Sequence, residues 1–125
     1  MSDIQVGDSA SLEFVVGDDD TARALGSGDV PVLATPRAIA WVEAASCAAI
    51  ADRLLPQETS VGITVSVDHQ AATAVGGRVE AAALLAEEDR RRAMIDVALV
   101  NEDGATAMSG VVQRLVVDRD QFLGS

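Results

Sequence analysis

Glu43 is the one charged side chain between Arg37 and Asp52, in a stretch otherwise built from Ala, Ile, Val, Trp, Cys and Ser. An ionised carboxylate taken out of water without partners is costly, so inside an apolar helix it must pair, hold a proton or face a cavity. Arg37 lies six positions earlier, a poor spacing for a pair on one helix face. A cavity is the better reading. Two further polar side chains stand where apolar ones would cost less, Thr35 at the start of the same stretch and His69 at the end of a later alternating one. Each has a plain structural use, Thr35 as a helix cap and His69 as a satisfied core residue. A carboxylate close to an imidazole is also an acid and base pair able to move protons.

Spacing limits how these groups can cooperate. Thr35 and Glu43 are eight residues apart, a rise of about 12 Å and a turn of roughly 80° on an ideal helix. One chain can hardly bring both onto a single reacting atom. If they act together, Thr35 of one subunit is expected to meet Glu43 of the other across a two-fold axis.

The elements that would hold these groups follow from pattern. "SLEFVV" (residues 11–16) reads as a strand, and "GDDD" as a solvated turn favouring a helix start at Thr21. "GSGDVPV" (residues 26–32) has the composition of a loop or lid. Thr35 followed by Pro36 marks a helix start, with Thr at the N-cap and Pro at the first helical position. The apolar run then reaches Leu55 and stops at Pro56, about 20 residues or ~30 Å of helix, apolar nearly all round and so expected to be buried on most sides. Cys47, the single cysteine, is read as a small core residue of that helix.

Beyond Pro56 the chain alternates. Val61, Ile63, Val65 and Val67 share one face, which parity extends to His69, while Gly62, Thr64 and Ser66 take the other. "GRVEAAALLAEE", "RRAMIDVALV" and "ATAMSGVVQRLVVD" read as three more strands joined by hairpins, giving an antiparallel meander of four. A single long helix that is apolar all round needs a sheet curled about it. The expected fold is α+β, a hotdog architecture of one domain over residues 1–125, with one long buried helix wrapped by an antiparallel sheet of about five strands. A lone copy would leave a sheet edge and a helix flank exposed, the situation dimerisation usually covers.

Composition removes several function classes. The formal charge of -11 opposes nucleic acid binding, which relies on clustered Lys and Arg. There is no Lys; the cations are all Arg, including the run Arg90, Arg91, Arg92. The segment "MSDIQVGDSA" has neither a basic region nor an apolar core of a leader, and no apolar run reaches the ~20 residues of a membrane span. The expectation is a cytoplasmic protein without membrane or nucleic acid partners. No metal site is read in the sequence.

Three stretches, "VLATPRAIAWVEAASC", "TSVGITVSVDHQAATAVGGRV" and "SGVVQRLVVD", together resemble the fluoroacetyl-CoA thioesterase family of hotdog proteins, over about residues 11–122. The resemblance implies hydrolysis of an acyl thioester, with Thr35, Glu43 and His69 falling on the family's catalytic threonine, glutamate and histidine. It also places Gly62 and Arg114 in the substrate pocket. On this reading Glu43 is the nucleophile or the base, His69 shuttles the proton, and Thr35 orients the carboxylate or thioester. Coenzyme A enters only as part of the substrate and no separate cofactor is implied. The family's fluoroacetyl enzyme has a lid carrying aromatic side chains, whereas "ALGSGDVPVLA" has none. The runner-up reading is a non-catalytic module binding acyl-CoA or another hydrophobic ligand. A hydratase would want an Asp and His pair, and Asp68 should point away from the face of His69.

Overall fold

The protein folds as β1 (Ser9–Val15), α1 (Ala22–Leu25), α2 (Thr35–Ala51), β2 (Glu58–His69), β3 (Arg78–Asp89), β4 (Arg92–Asn101), β5 (Thr106–Asp118) and α3 (Arg119–Phe122). This is a computed structural model describing residues 3–124. Met1 and Ser2, part of the amino-terminal segment read above, and Ser125 lie outside the described residues.

The five strands make one antiparallel sheet in the order β1-β3-β4-β5-β2, with α2 packed against one face. This is the expected hotdog arrangement, with one correction to its topology. β3, β4 and β5 form a meander, but β2 lies beside β5 rather than β3, because β1 occupies the outer side of β3 from Ser9↔Leu84 to Val15↔Arg78. Alternation reports which face a strand buries and says nothing of its neighbour.

α2 differs from expectation at both ends. Its N-cap is Ala34, with Thr35 and Pro36 as the first two helical residues and no side-chain cap. Ala34 is held there by backbone: its N–H donates to Asp20 O at 2.9 Å and its carbonyl accepts from Ala38 N at 2.9 Å. The Thr35 hydroxyl is thus released from capping. The helix stops at Ala51, short of Leu55. Leu55 precedes a proline, which disfavours helical backbone, and its N–H donates instead to Glu58 Oε1 at 2.9 Å.

α2 is buried along one face only, through Ala38, Val42, Ala45, Ser46, Ala49 and Ile50. Ala40, Ala44, Cys47 and Ala51 are exposed in a line on the opposite side. The expectations of a helix buried on most sides and of Cys47 in the core are therefore both corrected: one five-stranded sheet covers one side of a helix. The two aromatic rings nearest the helix join it to β1, Trp41 stacking on Phe14 with centroids 4.6 Å apart and planes within 3°.

β2 carries the irregularity on which the site depends. Its pairing with β5 slips by one residue between Gly62 and Thr64, so that Gly62 faces Arg114 while Thr64 faces Gln113. The extra residue is Ile63. A bulge of this kind reverses the alternation, so Ser60 and Gly62 before it share the helix-facing side with Val67 and His69 after it. Ile63 and Val65, placed by alternation on the apolar face, are 43% and 37% exposed on this edge strand.

Ahead of α2, the lid is a small closed loop. Thr21 caps α1 by accepting from Ala24 N at 3.1 Å, Ala22 N donates to Val32 O at 2.9 Å, and Leu33 N donates to Thr73 O at 2.8 Å. Asp20 is drawn out of the solvated acidic turn by Gly17 N at 2.8 Å and by Arg37 Nε at 3.0 Å. That ion pair accounts for Arg37 and leaves Glu43 to other partners.

Candidate active site

The five residues singled out above gather in two places. At the start of α2, Thr35 Oγ1 lies 2.7 Å from His69 Nδ1, at the end of β2. Which atom donates depends on the tautomer; when the hydroxyl donates, the neutral ring carries its proton on Nε2. Nε2 is shielded from solvent and has no hydrogen-bond partner among the described residues. A cavity of about 340 Å³ opens against this pair, lined also by Ala22, Gly28, Val30 and Leu33 of the lid and its base.

Further along α2, the Glu43 carboxylate is 35% exposed, and its Oε2 stands 3.8 Å from Nη1 of Arg114. It is neither sealed in the core nor free in bulk water. Gly62 completes this group. A Cβ at that position would come within 2.5 Å of Glu43 Oε2, so the carboxylate rests against bare backbone.

Arg114 is 7% exposed, and a buried guanidinium must be surrounded by acceptors. Its Nε donates to Ser60 Oγ at 2.9 Å and its Nη2 to Ser60 O at 3.1 Å. Its Nη1 reaches Ser46 Oγ at 3.4 Å, and that hydroxyl donates to Glu43 O at 2.6 Å. Ser46 and Ser60 are members of the site that sequence reasoning missed. The usable signal was small: both are hydroxyls in slots where their elements otherwise bury apolar or paired side chains.

No hydrogen bond or ion pair among the described residues links Glu43 to Thr35 or His69 of the same chain. The helix separates Thr35 from Glu43 by about 12 Å of rise, and the strand separates Gly62 from His69 by roughly 20 Å. Each chain holds these residues as two separate clusters facing the same side of its sheet.

Other candidates fall away from this face. Asp68 is exposed, opposite in parity to the half-buried His69. Arg91 of the arginine run pairs with buried Glu58 at 3.5 Å, and Arg90 sits in the β3–β4 turn with φ 59°. A larger depression of about 510 Å³, bordered by Ser11, Glu80, Leu84 and Asp96, contains none of the five residues. Among the described residues no group of three or more His, Cys, Asp or Glu side chains is arranged to hold a metal ion. None of their helices is long and apolar enough to cross a membrane.

Known proteins supply the context for this geometry. Residues 16–120 match the family model described as FlK, fluoroacetyl-CoA-specific thioesterase. The solved structure of the fluoroacetyl-CoA thioesterase FlK aligns with a TM-score of 0.88 at 30% identity, covering 97% of this chain and 93% of that one. A point mutant of FlK in complex with fluoroacetate and CoA gives 0.85 at 30% identity, over 95% and 99%. A thioesterase superfamily member from Thermus thermophilus gives 0.91 at 27% identity, over 98% and 90%. Comparison with curated proteins by sequence finds no match. The family match spans most of the chain and the fold agrees throughout: this chain belongs to the fluoroacetyl-CoA-specific thioesterase family of hotdog proteins and is a thioester hydrolase.

Proposed function

We propose that the protein hydrolyses small or medium acyl-CoA thioesters to the free acid and the CoA thiol, as a cytoplasmic homodimer with its active sites at the subunit interface. Glu43 is the nucleophile or the general base, His69 carries the proton, Thr35 orients the reacting groups, and Gly62 and Arg114 line the substrate pocket. Coenzyme A is part of the substrate and no other cofactor takes part. The observation that carries this reading is the division of the residues into two incomplete half-sites, Thr35 with His69 and Glu43 with Gly62 and Arg114. A second copy can bring one half-site to the other. The exposed edge of β2 and the exposed line Ala40, Ala44, Cys47 and Ala51 are the surfaces that such a copy would cover.

The chemistry follows two routes. In one, a carboxylate oxygen of Glu43 bonds to the thioester carbonyl carbon, the C–S bond breaks, the thiolate leaves with a proton, and water then opens the mixed anhydride. In the other, Glu43 takes a proton from water as the water oxygen attacks the carbonyl carbon, and the tetrahedral intermediate then collapses with the C–S bond breaking to release the thiol. Both place negative charge on the carbonyl oxygen, and the first-turn amides of α2 at Thr35 and Arg37, which have no partner four residues earlier within the helix, are donors suited to it. In either case His69 gives a proton to the departing sulfur and recovers one from the hydrolytic water, directly in the first route and by way of Glu43 in the second. The acyl group lies in the lid cavity, where the absence of aromatic side chains from residues 26–32 leaves aliphatic walls.

A panel of acyl-CoA esters, from acetyl to medium-chain and aromatic, assayed for release of free thiol, tests the reading. The wild type turns over the smaller members, while Glu43→Gln and His69→Ala lose at least about a hundred-fold in kcat with the fold retained. Wild-type turnover by Glu43→Gln on every ester would remove Glu43 from the chemistry.

A further inference from the structure

Resting on the assignment of Glu43 as the reacting carboxylate, we infer that Ser60 is a positioning residue which acts on Glu43 through Arg114. Ser60 is 8% exposed and occupies a helix-facing slot of β2, diagonal to Arg114 across the β2–β5 ladder. It does not reach Glu43. It grips one edge of the guanidinium twice, the side-chain oxygen accepting from Nε at 2.9 Å and the carbonyl oxygen from Nη2 at 3.1 Å.

Guanidinium is planar and its donors are fixed in a fork, so two bonds along one edge determine the plane and the direction of the remaining nitrogen. That nitrogen is Nη1, left facing Ser46 Oγ at 3.4 Å and Glu43 Oε2 at 3.8 Å. Ser46 ties the same nitrogen weakly to the helix backbone at Glu43, since its hydroxyl donates to Glu43 O at 2.6 Å. Ser60 provides the firm hold and Ser46 the loose one. Gly62 lies two residues beyond Ser60 and lets the carboxylate approach the strand, so one short segment sets both the place of the carboxylate and the cation facing it.

Purified Ser60→Ala, Ser60→Thr, Arg114→Lys and the double variant Ser60→Ala with Arg114→Lys are compared on the acyl-CoA that the wild type hydrolyses best. Ser60→Ala lowers kcat about ten-fold, the scale of one hydrogen bond to a charged group, with KM within about two-fold of wild type. Ser60→Thr, which keeps the hydroxyl, restores most of kcat. In the Arg114→Lys background the fork is already lost, and Ser60→Ala then has no further effect on kcat. Should Ser60→Ala fail to fold, Ser60→Cys carries the same comparison, because it keeps the volume and replaces a strong acceptor with a weak one. An unchanged kcat, or the same loss with and without Arg114, overturns the inference. Glu43→Gln, run alongside, separates the two levels. If it abolishes turnover while Ser60→Ala is normal, only the role of Ser60 fails; if it remains active, the assignment of Glu43 fails first.

Discussion

The carboxylate of Glu43 is seated against the backbone of Gly62, where even a methyl group would come within 2.5 Å of its Oε2. Glycine is required here for close approach, since the position is neither a turn nor a left-handed residue. Gly62→Ala must push the carboxylate away from the strand and from Arg114. The expected outcome is a loss of about a hundred-fold in kcat with a melting temperature within about 5 °C of wild type. Steady-state kinetics beside a thermal melt measure both, and a fully active Gly62→Ala would mean that Glu43 has no fixed seat.

Thr35 offers the opposite contrast between stability and activity. A capping threonine costs about 1 kcal/mol when its hydroxyl is removed, but Thr35 is not the cap and its hydroxyl is spent on His69 at 2.7 Å. Thr35→Val, which keeps the branched shape, should therefore change stability by less than about 0.5 kcal/mol in urea unfolding and lower kcat roughly ten-fold. Thr35→Ser should retain most of the activity. A variant that loses stability on the scale of a missing cap while turning over normally would return Thr35 to a structural role.

How much of this could be read from letters alone is seen best at β2. Alternation correctly marked a half-buried strand ending near His69, and the polar letters inside apolar runs drew attention to Thr35, Glu43 and His69. Strict alternation, however, puts Gly62 and His69 on opposite faces, and only the bulge at Ile63 brings them to the same one. A single inserted residue leaves no trace in periodicity because Ile63 is as good a strand former as its neighbours. Cys47 shows a second limit: an alanine-rich helix looks alike on the side facing a sheet and on the side facing away. Ser60 shows a third, since the group it holds is Arg114, 54 positions later in the chain.

Glu58 should prove structural in the same assays. Its side chain is 3% exposed, accepts from Leu55 N at 2.9 Å where α2 gives way to β2, and pairs with Arg91 at 3.5 Å. Glu58→Ala leaves the half-buried Leu55 amide without its acceptor and should cost about 1 kcal/mol by chemical unfolding, with kcat preserved. Arg91→Ala should cost under about 1 kcal/mol, because that arginine is 47% exposed and screened. Neither should alter KM for the acyl-CoA. A several-fold rise in KM for Arg91→Ala would instead give the arginine run a place in holding the CoA phosphates.

The strongest constraint on the whole scheme comes from distance. Because α2 and β2 each hold the two clusters well apart within a chain, the proposed centre draws Thr35 and His69 from one protomer and Glu43 from its partner. Mixing two inactive variants tests this directly. In a mixed dimer of His69→Ala with Glu43→Gln, one of the two centres receives the intact imidazole of the second variant and the intact carboxylate of the first, while the other centre receives neither. After denaturing and refolding an equal mixture, half of the dimers are mixed and each has one complete centre, so activity should return to roughly a quarter of the wild-type value. Each variant refolded alone should remain inactive. If the centre lay within a single chain, every centre in the mixture would carry one defect and no activity would return, which would leave the spacing of Thr35 and Glu43 on α2 without a functional meaning.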